Sequence, residues 1–542
     1  MKVIHPYTHL LFTVCFSVLC SSTLFSQELP EEKQEIIKTF EAQLEEARII
    51  NMAPVIKPVV PIKKKYNYNV TILPLDIEYP EPVIKPIAAD ADLPFEPYSF
   101  FTRIGYGNVK NPGLELGLYK TDEYQFDRYI HLTHQSFDNA SKVADQKAGN
   151  STAIAGIRYK IKEKWQLNAG FNATYRQQPF YFIYDGNDLN DKDRNLFNAG
   201  FKAEIGHGSI EENDIEFKFN TSYSVLNVSN PDKNEGQFRI ETKVAKKKGN
   251  WRLDLPFQFN GVLQTEISDL YSLVFDPKIK YSNSKWFLTA GAAIYFDAAE
   301  KTIPWPEIQF DYALAGKGMH VFALSKLRVT GNNLHRLTLE NPWLNPTIPS
   351  LSNFIGKEIL GGIRGETKVV GYEAAAGYVN GRNWEQFKNE TKVYSADVFY
   401  TDLNAVFIRS NIDFAVSQNI RLKGLLTKNF FDKKGLDKLY GVHSLEFKAQ
   451  AEFRLVNDRI KFTPELFVTD RQWARVVDTS TGSPTDIRLN NRIELNAGLD
   501  IWISKKFGIY AKANNLLNNK YEQWYGYPSL GIHFQGGLLL KL

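Results

Sequence analysis

The stretch from residue 532 to residue 542 reads IHFQGGLLLKL and decides the fold of this chain. Apolar side chains or glycine recur at every second residue from Ile532 to Leu542, with His533, Gln535 and Lys541 between them. A two-residue alternation is typical of a β-strand with one apolar face. In a β-barrel the last strand pairs with the first and turns such a face toward lipid. The chain is therefore predicted to end in the closing strand of a barrel.

The same alternation recurs through the region 97–542. It is clearest at 165–175, 215–223 and 447–453, where aromatic and aliphatic residues alternate with polar ones. A soluble β-sandwich could show this pattern, because its outer face is polar. Strands of about ten residues, aromatic residues at strand ends and connections of unequal length favour a membrane barrel instead. We therefore predict an all-β fold, a transmembrane antiparallel β-barrel over residues 97–542.

The connections between the predicted strands fall into two alternating sets. Short polar turns are expected at 162–164, 246–250, 282–284, 316–318, 417–419, 457–459 and 504–506. Longer loops are expected at about 137–150, 184–194, 225–235, 331–355, 379–403, 431–440, 469–487 and 515–529. Outer-membrane barrels place short turns in the periplasm and long loops outside. Counting on this parity gives about 22 strands, an even number, with both chain ends in the periplasm.

Composition agrees with a membrane barrel. The 542 residues include 35 Gly, 27 Tyr and 37 Phe but only 3 Met, and the mean hydropathy is -0.33. Strands that alternate between lipid and lumen average to such mild polarity, whereas a helical membrane protein would be far more apolar. The balance of 65 Lys and Arg against 61 Asp and Glu argues against a nucleic-acid partner.

Residues 1–26 are predicted to be a signal peptide. Lys2 precedes an apolar run from Leu10 to Leu19, and small polar residues follow up to Ser26. A retained membrane anchor is the alternative, but the run is short for a spanning helix. Both cysteines, Cys15 and Cys20, lie in this segment. The processed chain would have none, which excludes disulfides, thiolate metal sites and a cysteine nucleophile.

Residues 27–96 are predicted to form a periplasmic arm rich in proline, with one short amphipathic helix. Ile36, Ile37, Phe40 and Leu44 share one helical face among Glu and Lys residues. The prolines that follow prevent this segment from building a core of its own. Either the arm is a tether or lumen-lining tail, or its apolar stripe binds a periplasmic or envelope protein.

Two motifs resemble TonB-dependent outer-membrane receptors. One is 515–518 (NLLN) with 526–528 (GYP) and Gly531, before the final strand; the other is 340–346 (ENPWLNP) with the strand 358–364 (EILGGIR). In that family the last strand usually ends in Phe, where this chain has Leu542, and Ile532 stands where Arg is usual. The resemblance implies an outer-membrane protein that contacts lipid and transports a bulky ligand.

Receptors of that family carry an N-terminal plug domain inside the barrel, and the arm is too short and too rich in proline to serve as one. A lumen of this width needs closure. The candidates are the arm, the loops 331–355 and 379–403, or a partner protein. The alternative function is therefore a plugless, non-transporting barrel that serves as a subunit of an outer-membrane assembly or secretion complex.

The sequence predicts no enzymatic activity. The histidines show no metal-ligand spacing, and the oxygen-rich loop 185–193 lacks the pattern of a calcium hand. We predict no catalytic site, cofactor or metal. Aromatic residues in the presumed external loops either anchor the membrane interface or stack on a ligand. These candidate ligand contacts are Trp343, Trp384, Trp473, Trp524 and Tyr525.

Overall fold

The computed structural model describes residues 99–121, 126–161, 164–182, 193–208, 214–265, 269–297, 302–315, 318–348, 352–392, 394–433, 435–477 and 482–542. The predicted signal peptide 1–26 and the arm 27–96, with Ile36, Ile37, Phe40 and Leu44, lie outside these residues and remain predictions. In the described part of the chain, no helix is long and apolar enough to cross a membrane.

In the described part of the chain, 22 antiparallel strands form a closed ring. The first half consists of β1 (Phe100–Gly107), β2 (Gly113–Thr121), β3 (Phe126–Asp138), β4 (Lys147–Ile161), β5 (Trp165–Gln177), β6 (Asn195–His207), β7 (Ile215–Val228), β8 (Lys233–Lys248), β9 (Trp251–Gln264), β10 (Leu270–Phe275), β11 (Lys278–Ser282) and β12 (Trp286–Asp297). Both β10 and β11 pair with β9 and with β12, so they are two parts of one strand interrupted at Pro277.

The second half of the ring includes two strands of 23 residues, and one connection carries a helix. The elements of this half are β13 (Ile303–Ala315), β14 (Met319–Asn332), α1 (Leu334–Glu340), β15 (Ser352–Glu366), β16 (Val370–Lys392), β17 (Ser395–Ser417), β18 (Ile420–Asp432), β19 (Leu445–Leu455), β20 (Ile460–Thr469), β23 (Arg492–Trp502), β24 (Phe507–Asn514) and β27 (His533–Lys541). Two small hairpins lie in connections outside the ring: β21 (Trp473–Val477) with β22 (Pro484–Arg488), and β25 (Glu522–Trp524) with β26 (Tyr527–Pro528).

The last strand closes the barrel, as the sequence predicted. β27 pairs antiparallel with β1, from Phe101 opposite Lys541 to Gly107 opposite Gln535. The Ser99 nitrogen also donates to the Leu542 carbonyl at 2.9 Å. The start of β1 and the end of β27 therefore lie at the same end of the barrel, the end predicted to face the periplasm.

The two faces of the barrel wall differ in polarity. Ile104 and Tyr106 on β1 are 54% and 60% exposed on the outer face. Arg103, next to Ile104, points inward instead. It forms an ion pair across the closing seam with Asp500 on β23, with 2.8 Å between Nη2 and Oδ2. An apolar outside and an ion-paired inside are the arrangement expected of a barrel in lipid with a polar lumen.

Aromatic side chains mark one rim of the apolar band. Trp165, Trp251 and Trp286 begin β5, β9 and β12, all at the end that carries the chain termini. Each packs on an aromatic ring of a neighbouring strand, Trp165 on His207, Trp286 on Tyr312, and Trp251 on Tyr281 with 4.9 Å between ring centroids. Such girdles occur where a membrane barrel meets the interface. The protein is an outer-membrane barrel.

The predicted connections need one correction. The region 379–403, expected to be a loop, is mostly strand, because β16 and β17 run past the rest of the wall as one long hairpin. Gly381 and Asn383 are residue types typical of turns, but here they lie at a bulge between Gly381 and Trp384, where Asn383 has a φ of 54°. Connections at 122–125, 208–214 and 367–369, and at 108–112, 265–269 and 298–302 on the opposite end, were not predicted.

Candidate functional site

The external connections of distant strands meet over the mouth of the barrel. Counted with β10 and β11 as one strand, β5, β14 and β24 are the 5th, 13th and 21st strands of the ring. Eight, eight and six strands therefore separate them around the circle. Connections that start at three nearly equidistant points of a ring can touch one another only across its opening. Their contacts thus form a lid on the external side.

Three aromatic rings, one from each connection, hold the lid together. Trp343 follows α1 and stacks on Tyr527, which precedes the last strand, with ring centroids 3.9 Å apart and planes 13° from parallel. Tyr181, which follows β5, stands edge-on to both, at 5.5 Å from Trp343 and 5.1 Å from Tyr527. Offset stacked and edge-to-face pairs are the preferred aromatic geometries. We call these residues the aromatic triad.

Around the aromatic triad lies a continuous apolar core that we call the lid core. It includes residues with no exposed surface, Leu334, Leu337 and Leu344, although all three lie in a connection. Such burial is typical of a protein interior and not of a surface loop. Its members are Phe180, Tyr181, Phe182, Leu196, Leu226, Val228, Val262, Leu270, Leu334, Leu337, Trp343, Leu344, Ile348, Phe387, Ala396, Val398, Trp524 and Tyr527.

The helix α1 is fixed to the inner wall by its first turn. The Asn333 side chain accepts from the Arg336 nitrogen at 2.9 Å and caps the helix. The Glu235 carboxylate, on β8, accepts from the Leu334 nitrogen at 2.6 Å and from the His335 nitrogen at 3.0 Å. A carboxylate at a helix N-terminus is stabilising because free N–H groups and the helix dipole point at it. The helix therefore presents Leu334 and Leu337 to the lid core.

Buried polar groups of the lid bond to backbone carbonyls of other connections. The Trp343 Nε1 donates to the Pro179 carbonyl at 3.2 Å, and the Tyr527 hydroxyl donates to the Tyr394 carbonyl at 2.5 Å. The Gln146 Nε2 donates to the Pro528 carbonyl at 2.9 Å. Each bond joins two different connections and satisfies a group that burial would otherwise leave unpaired. The lid is thus specified by polar contacts as well as by apolar packing.

The hairpin β21–β22 extends the lid on one side. It meets β16 in parallel at Asn389 and Val476. Asp486 accepts from Arg475 Nε at 2.9 Å, from Lys438 Nζ at 3.0 Å and from the Tyr440 hydroxyl at 3.2 Å. The hydrogen bond from Arg475, with help from Lys438, lowers the pKa of Asp486 to about 2. The hairpin is therefore held by a carboxylate that stays charged at any physiological pH.

The structure separates the five aromatic residues predicted to contact a ligand. Trp343 and Trp524 are buried in the lid core, and Tyr525 packs against it. Trp384 lies in β16, edge-on to Phe354 and Phe431, and Trp473 lies in β21 beneath Lys438, with 4.4 Å from Nζ to the ring centroid. Trp343 and Trp524 could meet a ligand only if the lid opened. Their ligand contact remains a prediction.

Sequence reasoning missed several lid residues. The run Phe180-Tyr181-Phe182 is strongly apolar in a predicted connection, and an apolar run in a loop is a signal of burial. Asn333 followed by Leu334 and Leu337 is the signal of a short capped helix. Tyr527 was noticed only as part of a motif. Among the described residues, no three His, Cys, Asp or Glu side chains are placed to hold a metal ion.

No protein-family model and no curated protein matches the sequence. Solved structures match in fold. A mutant form of the ferric enterobactin receptor PfeA of Pseudomonas aeruginosa is 9% identical, with a TM-score of 0.61 over 82% of this chain and 80% of that one. The ferripyoverdine receptor of the outer membrane of the same organism is 10% identical, with a TM-score of 0.60 over 82% and 72%.

The copper transporter OprC is 8% identical, with a TM-score of 0.59 over 82% of both chains. These neighbours are named as receptors or as a transporter. At this level of identity the comparison establishes the fold. The chain is an outer-membrane barrel with the fold of the TonB-dependent receptor barrels, as its sequence motifs indicated.

Proposed function

We propose that the protein transports a bulky ligand across the outer membrane and that the lid is its gate. The ligand would enter the lumen when the external connections separate. A ferric chelate is the ligand class that the fold neighbours suggest, since two of them are named receptors for ferric enterobactin and for ferripyoverdine. A barrel of this width requires a permeability barrier. In this proposal the lid is that barrier, in place of a filled lumen.

The contact of Trp343 with Tyr527 carries this proposal. The two rings belong to connections on different sides of the mouth and stack at 3.9 Å. The stacked rings take no part in the strand pairings of the ring, so in this proposal the rings separate while those pairings stay intact. A gate needs such a closed state that is marginal relative to the stability of its scaffold.

The experiment is a conductance measurement on the purified full chain in planar bilayers. Trp343→Ala removes one ring of the stack and should convert rare openings into long-lived ones. Trp251→Ala is the matched control, because Trp251 lies on the outer rim at the other end and is 55% exposed. The control should conduct like the wild type. If Trp343→Ala stayed as closed as the wild type, the lid would not be the gate.

A second function is favoured by a different observation. The lid core is as buried as a protein interior, and a permanently closed barrel would suit a non-transporting subunit of an outer-membrane assembly or secretion complex. The arm 27–96 would then bind a periplasmic or envelope protein through Ile36, Ile37, Phe40 and Leu44. Because the arm precedes β1 in the sequence, it would begin at the end of the barrel that is predicted to face the periplasm.

Two experiments separate these functions. Deletion of a transporter should impair growth on one defined iron or glycan source only, whereas loss of an assembly subunit should affect growth on all of them. Replacing Phe40 and Leu44 by Asp should abolish co-purification of a periplasmic partner and leave the barrel folded. If this double variant instead made cells permeable to large antibiotics, the arm would be acting as the plug.

A further inference from the structure

A buried arginine stands where the lid meets the inner wall. Arg194 precedes β6 and has no exposed surface. Its Nη1 donates to the Leu344 carbonyl at 2.6 Å, and its guanidinium lies 5.5 Å from the centroid of the Phe180 ring. Its Nε and Nη2 are buried without a hydrogen-bond partner. An arginine has only donors, so these two groups need an acceptor.

A second arginine lies beside it. Arg176 on β5 is directly opposite Leu196 on β6, and Arg194 is two residues from Leu196 on the same inward face. Diagonal neighbours of this kind are about 7–8 Å apart, within reach of two long side chains. No hydrogen bond or ion pair joins Arg176 to another described residue.

The other diagonal neighbour of Arg176 on β6 is Asn198, which contacts a histidine. Asn198 Nδ2 lies 3.4 Å from the Nδ1 of His335, in α1. The amide nitrogen can only donate, so this contact makes Nδ1 the acceptor and leaves the ring proton on Nε2. His335 therefore keeps one donor, its Nε2–H, in this part of the lid.

No carboxylate in the described part of the chain balances this charge. Glu235 is near the helix, but it already accepts from the Leu334 and His335 nitrogens and from Gln237 Nε2. Burial, together with the charge of Arg176, lowers the pKa of Arg194 to about 10 and also lowers the pKa of His335. Both directions are those of groups that lack a counter-charge.

We propose that Arg176, Arg194 and His335 form a binding site for an oxyanion, either a carboxylate or a phosphate group. Planar guanidinium groups bind both anions through paired N–H donors. The dry surroundings strengthen such contacts. The inference that this oxyanion belongs to the transported ligand rests on the proposed function. Because Arg194 also holds the Leu344 carbonyl, the bound group would contact the lid directly.

The test is thermal unfolding of the purified full chain in detergent with sodium phosphate, sodium acetate or sodium chloride at constant ionic strength. Phosphate or acetate should raise the Tm of the wild type saturably above its value in chloride, and the comparison of the two identifies the preferred group. Arg176→Gln should weaken this binding by about tenfold or more. Arg194→Met should also abolish the binding, but Arg194 is fully buried and its loss could prevent folding. Arg176 is only partly buried, so Arg176→Gln should fold.

Lys202→Gln is the matched control. Lys202 lies lower on β6 on the same inward face, and its loss should leave the anion response intact. Equal Tm values in all three salts, or a full response in Arg176→Gln, would overturn the proposal. The measurement involves no transport. A closed Trp343→Ala barrel that still bound phosphate would refute the gate and leave the anion site standing.

Discussion

At the scale of single residues, the stack of Trp343 on Tyr527 should be measurable as a pairwise energy. Aromatic pairs contribute about 0.5–1.5 kcal/mol beyond the area they bury. A double-mutant cycle with Trp343→Leu and Tyr527→Leu, read from the free energy of unfolding in detergent, should give a coupling of about 1 kcal/mol. Trp343→Leu with Trp384→Leu is the control pair and should be additive. Additivity in the first pair would contradict the stack.

The carboxylate of Asp486 gives a prediction for pH. Its pKa is lowered to about 2 in the folded protein, below the ordinary value of 3.8. It therefore stabilises the hairpin β21–β22 fully above about pH 4, and this stabilisation disappears as the pH falls through about 2. Hydrogen exchange of Trp473–Val477, corrected for the intrinsic rate, should be equally protected at pH 7 and pH 4. In Asp486→Asn the protection should be lower at both values; a full loss between pH 7 and pH 4 would contradict this assignment.

At the scale of elements, α1 should depend on its cap. Asn333→Ala removes the acceptor of the Arg336 nitrogen, which costs about 1 kcal/mol of local stability. Amide exchange in Leu334–Glu340 should accelerate accordingly, while the strands β14 and β15 keep their protection. Asn333→Ser is the control, because serine caps a helix almost as well. Equal exchange in Asn333→Ala and the wild type would show that packing alone holds the helix.

The strands of the wall could be predicted from the sequence, whereas the lid could not. Period-two alternation predicted the strands because each side of the wall meets a different medium, so every strand carries its own signal. The stretch 532–542 even predicted the closing pair. The lid has no such period. Its contacts, such as Tyr181 with Tyr527, join connections that are far apart in sequence, and only the closed ring brings them together.

The sequence predicted neither the long hairpin β16–β17 nor the cluster around Arg194, and the two reasons are related. Asn383 looked like a turn residue because Asn tolerates a positive φ, but here that conformation serves a bulge inside a strand. Arg194 stands alone in the sequence, and its importance comes from what is missing around it. A missing counter-charge is visible only after Arg176 and His335 are placed beside it.

At the scale of the whole molecule, the external connections close the mouth of a wide barrel. Both cysteines lie in the predicted signal peptide 1–26, and its removal would leave a single cysteine placed in the barrel as the one thiol to label. Ser222 faces the lumen from β7. Leu436 lies in an external connection and is exposed, so Leu436→Cys reports full access from outside.

The decisive measurement is labelling of Ser222→Cys in whole cells with a maleimide carrying a polymer too large for ordinary porins. With the lid intact, Ser222→Cys should remain unlabelled while Leu436→Cys reacts fully. Combining Ser222→Cys with Trp343→Ala should make the lumen cysteine reactive. Rapid labelling of Ser222→Cys under an intact lid would show that the mouth is open and would contradict the account.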